Sequence, residues 1–143
     1  MKQILVPIDF SKTSIEALRQ AEIFAEKFGA SLMLLHVVEK APFMSDMRNV
    51  PLAMSEDEVA EKAKVDLTLL AKRELKEKTT RQINVRVGKA YQEINEAAKE
   101  LRADLIVIST HGYTGLKHTL LGSTTERVVR HAPCPVLVVR KQE

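Results

Sequence analysis

The 143-residue chain predicts an α/β fold, a five-stranded parallel sheet with helices on both faces. Three observations carry that reading. Short apolar runs at residues 4–8, 32–38, 82–87, 105–108 and 136–140 have the length and β-branched content of strands. Between them lie four segments with helical character, and regular alternation of the two is the pattern of parallel strands joined by helical crossovers. Gly29, Gly88 and Gly122 punctuate the joints.

Ile4 to Ile8 reads as the first strand and ends at Asp9. Pro7 cannot donate to a ladder, so it belongs at the carboxyl end of that strand, where pairing is finishing. Ser11, Thr13 and Ser14 offer caps for a helix running to about Phe28 and stopped by Gly29. Ala17, Leu18, Ala21, Phe24, Ala25 and Phe28 fill one face of it, with Ile23 stranded on the polar side. Leu32 to Val38 is the second strand. Glu39 to Ser55 carries Pro42, Pro51, Met44, Met47 and Met54 without periodicity, a long connection of the kind often used as a lid or binding element. Glu56 to Lys78 is rich in helix formers, with Ala60, Ala63, Leu67, Leu70 and Ala71 on one arc and Val65 and Leu69 outside it. Gln82 to Val87 alternates as the third strand. Ala90 to Leu101 places Ile94, Ala97, Ala98 and Leu101 at i, i+3, i+4 and i+7.

The stretch from Leu105 to Arg140 organises the rest. Leu105-Ile106-Val107-Ile108 suits a strand buried on both faces. A loop with Gly112 and Gly115 follows and closes on Gly122-Ser123-Thr124, where Ser123 or Thr124 suits the N-cap of a helix. Strand, glycine-bearing loop and helix start together make an anion site, because unpaired N–H groups and the positive end of a helix dipole face one point. The fifth strand, Val136 to Arg140, ends the pattern.

Composition narrows the partners. Hydrophobic residues at 45% with 29% charged describe a globular chain of a size for a single domain, 1–143. No apolar run approaches the ~20 residues of a membrane span. The lone Cys134 cannot form an internal disulfide, so a cytoplasmic setting is the economical expectation. A net charge of +3 with interleaved signs is too weak a footprint for nucleic acid. His36, His111, His118 and His131 lack companions at metal-ligand spacing. Gly122-Ser123 has no P-loop lysine, and no G-x-S-x-G elbow exists for a serine nucleophile. His111 and Lys117 sit in the loop, where they either touch a phosphate or face solvent.

Periodicity leaves the strand order open. If the first and fourth strands are neighbours, Asp9 and the 109–123 loop meet at the carboxyl ends, although the order 2-1-3-4-5 suits the same elements.

Ile-Leu-Val-Pro-Ile-Asp-Phe-Ser at 4–11, Leu-Leu-His-Val-Val at 34–38 and the whole of 105–140 resemble the universal stress protein family, from Lys2 to Arg140. The resemblance implies the order 3-2-1-4-5, Rossmann-like and akin to the adenine nucleotide alpha hydrolases. It also implies a homodimer paired antiparallel through the fifth strands, Val136–Arg140, which would cover an otherwise open apolar edge. Some members of the family bind ATP and others do not. The binding pattern resembles Gly-x-x-Gly, nine residues, then Gly and Ser or Thr. Here Gly112, residues 113–121 and Gly122-Ser123 match, while Ser109 stands where the pattern has its first glycine. A β-carbon is thereby placed where backbone approaches the ligand.

Carried over residue by residue, the resemblance places Asp9 and Val37 at the adenine with Pro7 and Ile8 beside them. Ser109, His111 and Gly112 belong to the ribose and phosphate loop, and Gly122, Ser123 and Thr124 to the phosphate end, with Mg²⁺ as companion to the ATP. The implied function is a cytoplasmic, ATP-binding homodimeric regulator or sensor of stress, with weak ATP hydrolysis at most. The alternatives are a dimeric scaffold of the same family with an empty site, serving an unidentified protein partner, and a slow ATPase.

Overall fold

The computed structural model describes residues 1–39, 54–112 and 121–141. Most of the connection expected over 39–55, and residues 113–120 with Gly115, Lys117 and His118, lie outside them. In chain order the elements are β1 (Gln3–Pro7), α1 (Lys12–Phe28), β2 (Ser31–Val38), α2 (Glu56–Glu74), β3 (Arg81–Val87), α3 (Ala90–Glu100), β4 (Leu105–Ser109), α4 (Ser123–His131) and β5 (Val136–Val139). The five strands form one parallel sheet in the order β3-β2-β1-β4-β5, which closes the choice that periodicity left open.

The two faces of the sheet bury separate apolar clusters. Ile4, Val6, Leu32, Leu34 and Val107 face α1 and α2, meeting Leu18, Ala21 and Leu67. Leu5, Met33, Leu35, Ile106 and Ile108 face α3 and α4, meeting Ile94, Ala97 and Val128. This is the period-two alternation of a strand buried on both sides, which is why β1 and β4 read as unbroken apolar runs.

α1 begins on Ser11, whose side chain accepts the Ser14 N–H, and ends on Gly29 in the left-handed region at φ 65°. Its expected inner face is correct at Ala17, Leu18, Ala21 and Ala25. Phe28 is instead half exposed, stacked on Phe24 at the last turn. α2 stops at Glu74, four residues short of the sequence-based boundary. Leu75 turns extended and buries itself, while the buried Glu22 carboxylate on α1 accepts the Lys76 N–H at 2.7 Å and the Thr79 hydroxyl at 2.8 Å. Helix propensity in Lys76-Glu77-Lys78 is overridden by that tertiary contact. β5 stops at Val139, so Arg140 lies just outside the strand.

Pro7 shapes the sheet where it matters most. Gln3 C=O accepts the Asp104 N–H, so odd-numbered residues of β1 turn their backbone toward β4. Pro7 stands at the next such position after Leu5 and has no N–H to give. The β1–β4 register accordingly covers only Ile4↔Leu105 and Leu5↔Ile106, while β1–β2 pairing continues to Pro7↔Leu35. Beyond Leu5 the two central strands part.

Candidate functional site

The parting of β1 and β4 opens a crevice at the carboxyl ends of the strands. β1 leads into α1 on one face of the sheet, and β4 leads to α4 on the other. Connections that leave neighbouring strands in opposite directions create the crevice in which open α/β sheets hold ligands. The cavity there has a volume of about 850 Å³, within the ~300–1,000 Å³ usual for small-molecule sites.

Nine of the ten residues singled out from the sequence line it: Pro7, Ile8, Asp9, Val37, Ser109, Gly112, Gly122, Ser123 and Thr124. His111 is the exception and is not among the residues that line the cavity. Its carbonyl turns instead to α1, accepting the Thr13 hydroxyl at 2.6 Å.

Asp9 is held from several sides. Its Oδ1 accepts the Ser11 N–H at 2.9 Å and also the Ser11 hydroxyl, so the residue braces the cap of α1. Phe10, next in the chain, takes a left-handed conformation at φ 65°, which costs an L-residue roughly 1–2 kcal/mol. Its ring rests 4.8 Å from that of His36, whose Nδ1 lies 2.7 Å from the Ile8 carbonyl. The bend this fixes brings the Asp9 carboxylate against Gly112. A Cβ on Gly112 would stand 2.3 Å from Asp9 Oδ2, so a side chain fits there only if the Asp9 carboxylate moves.

At the opposite wall α4 starts on Gly122, not on Ser123 or Thr124 as the sequence suggested. The Gly122 N–H donates to Thr110 C=O at 2.7 Å, drawing the helix start back onto the end of β4. Both candidate cap residues are therefore inside the first turn. No side chain caps that turn, and N–H groups at the start of a helix have no acceptor within it. Ser123 and Thr124, the first two residues of the helix, line the cavity, which thereby meets the positive end of the dipole.

Val37 contributes something the sequence did not show. The resemblance places it at the adenine without saying which of its groups would serve. Ile8 N–H closes on Leu35 C=O at 2.8 Å, and on the other side Gly88 N–H closes on Val38 C=O at 3.0 Å. Backbone groups alternate along a strand, so Val37 directs its N–H and C=O toward the β1 side, past the point where β1 ends. A donor and an acceptor on one residue thus face the crevice.

Electrostatically the lining is acidic. Asp9, Glu39 and Glu126 border it, and no lysine or arginine does among the described residues. Glu39 is engaged already, accepting the Ala90 N–H at 2.8 Å at the start of α3. No group of three or more potential metal ligands occurs among the described residues. Cys134 packs half-buried against the α3–α4 side, and burial first, then the charge of Asp104, pushes its thiol above the ordinary value. The thiol form therefore dominates at neutral pH. No helix among the described residues is long and apolar enough to cross a membrane.

The order of the strands and the crevice at their parting define a doubly wound, Rossmann-like α/β protein with an anion-receptive wall. The chain belongs to the universal stress protein family, whose model matches residues 1–140. Among curated relatives, universal stress protein MJ0531 of Methanocaldococcus jannaschii is 37% identical over 98% of this chain and 82% of its own length. The solved structure of MJ0577, a universal stress protein of the same organism, superposes with a TM-score of 0.84 at 31% identity, covering 99% of this chain and 97% of the other. A universal stress protein solved in complex with cAMP shares the fold at a TM-score of 0.71 and 22% identity, covering 99% and 98% of the two chains.

Proposed function

We propose that this protein binds an adenine nucleotide, ATP, in the crevice between β1 and β4, and acts in the cytoplasm as a dimeric regulator or sensor in stress response. The observation that carries the reading is the pairing of two unlike walls across one cavity. The uncapped first turn of α4 suits phosphate oxygens. The Val37 N–H and C=O suit the N1 acceptor and the amino donor on the edge of adenine, with Pro7 and Ile8 as apolar neighbours. A universal stress protein of this fold is solved in complex with cAMP, and in this chain the support comes from its own residues. With carboxylates and no lysine or arginine among the described lining residues, the charge of a triphosphate is best carried in with Mg²⁺.

Mg-ATP at a hundredfold excess over its dissociation constant is expected to stabilise the protein by about 2.7 kcal/mol. A melting scan measures this directly. A melting temperature that stays put up to millimolar Mg-ATP would instead favour the dimeric scaffold with an empty site, and steady release of ADP, lost in Gly122→Ala, would favour the slow ATPase.

The dimer is proposed through β5, which ends the sheet. Ile106 N–H and Thr110 N–H donate to Pro135 C=O and Val139 C=O, so the backbone of Val136 and Val138 faces away from β4, toward the open edge. Val138→Pro removes an edge donor while sparing the β4 ladder. Sedimentation is expected to report monomers for this variant at concentrations where the wild type is dimeric. Retention of dimers would place the interface elsewhere. Proline is preferable to a charge here, because the Val136 and Val138 side chains pack onto the α3–α4 cluster of their own subunit.

A further inference from the structure

We propose that the hydroxyls of Thr13 and Ser109 form a clamp on the His111 carbonyl, and that this clamp presets the 111–112 peptide for the phosphate-bearing part of the nucleotide. The inference rests on the nucleotide reading above and assigns positioning roles to two residues.

Three consecutive carbonyls at the end of β4 are tied down. Ser109 C=O accepts the Thr125 hydroxyl at 2.7 Å, from α4. Thr110 C=O accepts the Gly122 N–H at 2.7 Å. His111 C=O accepts two donors, the Thr13 hydroxyl at 2.6 Å and the Ser109 hydroxyl at 3.2 Å. The segment is thus fixed from α1, from α4 and from within itself. In a planar trans peptide the C=O and the N–H point in opposite directions. Holding the His111 carbonyl on the α1 side therefore turns the Gly112 N–H the other way and keeps a carbonyl oxygen from facing an anion. The peptide lies beside the start of α4, since a Cβ on Gly122 would stand 3.6 Å from His111 Cα. The phosphate end of the cavity is where its orientation matters.

Ser109 is only 6% exposed, and its hydroxyl is spent on this carbonyl. Where the family pattern has glycine, this chain has a residue that supplies one of the two clamp donors. A reading based on the motif alone makes Ser109 an obstruction, whereas the clamp makes it an asset.

The two readings separate on Ser109→Gly. Calorimetric titration of wild type, Ser109→Gly, Ser109→Ala and Thr13→Val with ATP and with adenosine is expected to show ATP bound about fivefold more weakly by each variant, the ordinary net worth of one hydrogen bond. Adenosine, which has no phosphate, is expected to stay within about twofold, a difference that general loss of structure would not produce. Tighter or unchanged ATP binding by Ser109→Gly overturns the clamp, as do equal losses for ATP and adenosine. If the wild type binds neither compound, the nucleotide reading fails on its own account. The clamp is then judged by amide hydrogen exchange at Gly112 without ligand: faster exchange in Thr13→Val and Ser109→Ala supports it, and unchanged exchange overturns it.

Discussion

Gly112→Ala is expected to weaken nucleotide binding by about a hundredfold and to lower the stability of the unliganded protein as well. The added methyl carbon would lie 2.3 Å from Asp9 Oδ2, far inside van der Waals contact. Asp9 has little freedom to retreat, because its Oδ1 is held by the Ser11 N–H and hydroxyl and the chain behind it is bent through left-handed Phe10. Overpacking of this kind costs about 1–3 kcal/mol of stability, and a displaced Asp9 gives up a hydrogen bond to the ligand whose ~1.5–3 kcal/mol corresponds at its upper end to about a hundredfold in affinity. Relief comes by displacing the Asp9 carboxylate from its place in the crevice, which is why binding suffers with stability. A double-mutant cycle with Asp9→Ala tests the cause. The double variant is expected to recover stability relative to the sum of the single losses, while nucleotide affinity stays low. Strictly additive losses in denaturant melts would mean that the two residues do not meet.

On α2 the direction of the helix is tested by two leucines two positions apart. Leu67→Ala is expected to cost about 2–5 kcal/mol, because Leu67 is fully buried against the sheet and its removal leaves a cavity. For a chain of this size that is a fall in melting temperature of roughly 10 °C. Leu69→Ala should stay within about 0.5 kcal/mol, since Leu69 is 58% exposed on the opposite side. Comparable losses at the two positions would show that α2 is rotated or that its outer face is covered by another molecule.

That contrast shows how much of the architecture was legible in the chain. Of the expected arc Ala60, Ala63, Leu67, Leu70 and Ala71, all but the half-buried Ala60 are buried, and Val65 and Leu69 lie exposed outside it, because a regular helix repeats one angle and the burial pattern repeats with it. The same holds for the two-sided burial of β4. Boundaries were less legible. α2 was read four residues too long because Lys76, Glu77 and Lys78 are good helix formers, and nothing local reveals that Glu22, 54 residues earlier, captures the Lys76 N–H. The start of α4 was misplaced by one or two residues. Serine and threonine are favoured caps, but Gly122 takes that place by donating to Thr110.

Within the crevice the division is similar. Asp9, Gly112 and Gly122-Ser123 stood out as a carboxylate after a strand and glycines before a helix, features that local sequence carries. The use of Val37 through its backbone was invisible, since every residue has the same N–H and C=O and only the early end of β1 uncovers this pair. Thr13 was read as a cap for α1 and proves to reach across to His111, 98 residues away.

By itself, then, the sequence determined the alternation of strands and helices, the inward faces of each, and the residue types available at the strand ends, because these depend on periodicity and side-chain chemistry alone. Tertiary structure decided which strands are neighbours, where β1 and β4 part, and which backbone groups face the space between them. Those outcomes depend on hydrogen bonds between segments far apart in the chain, and short-range pattern holds no record of them.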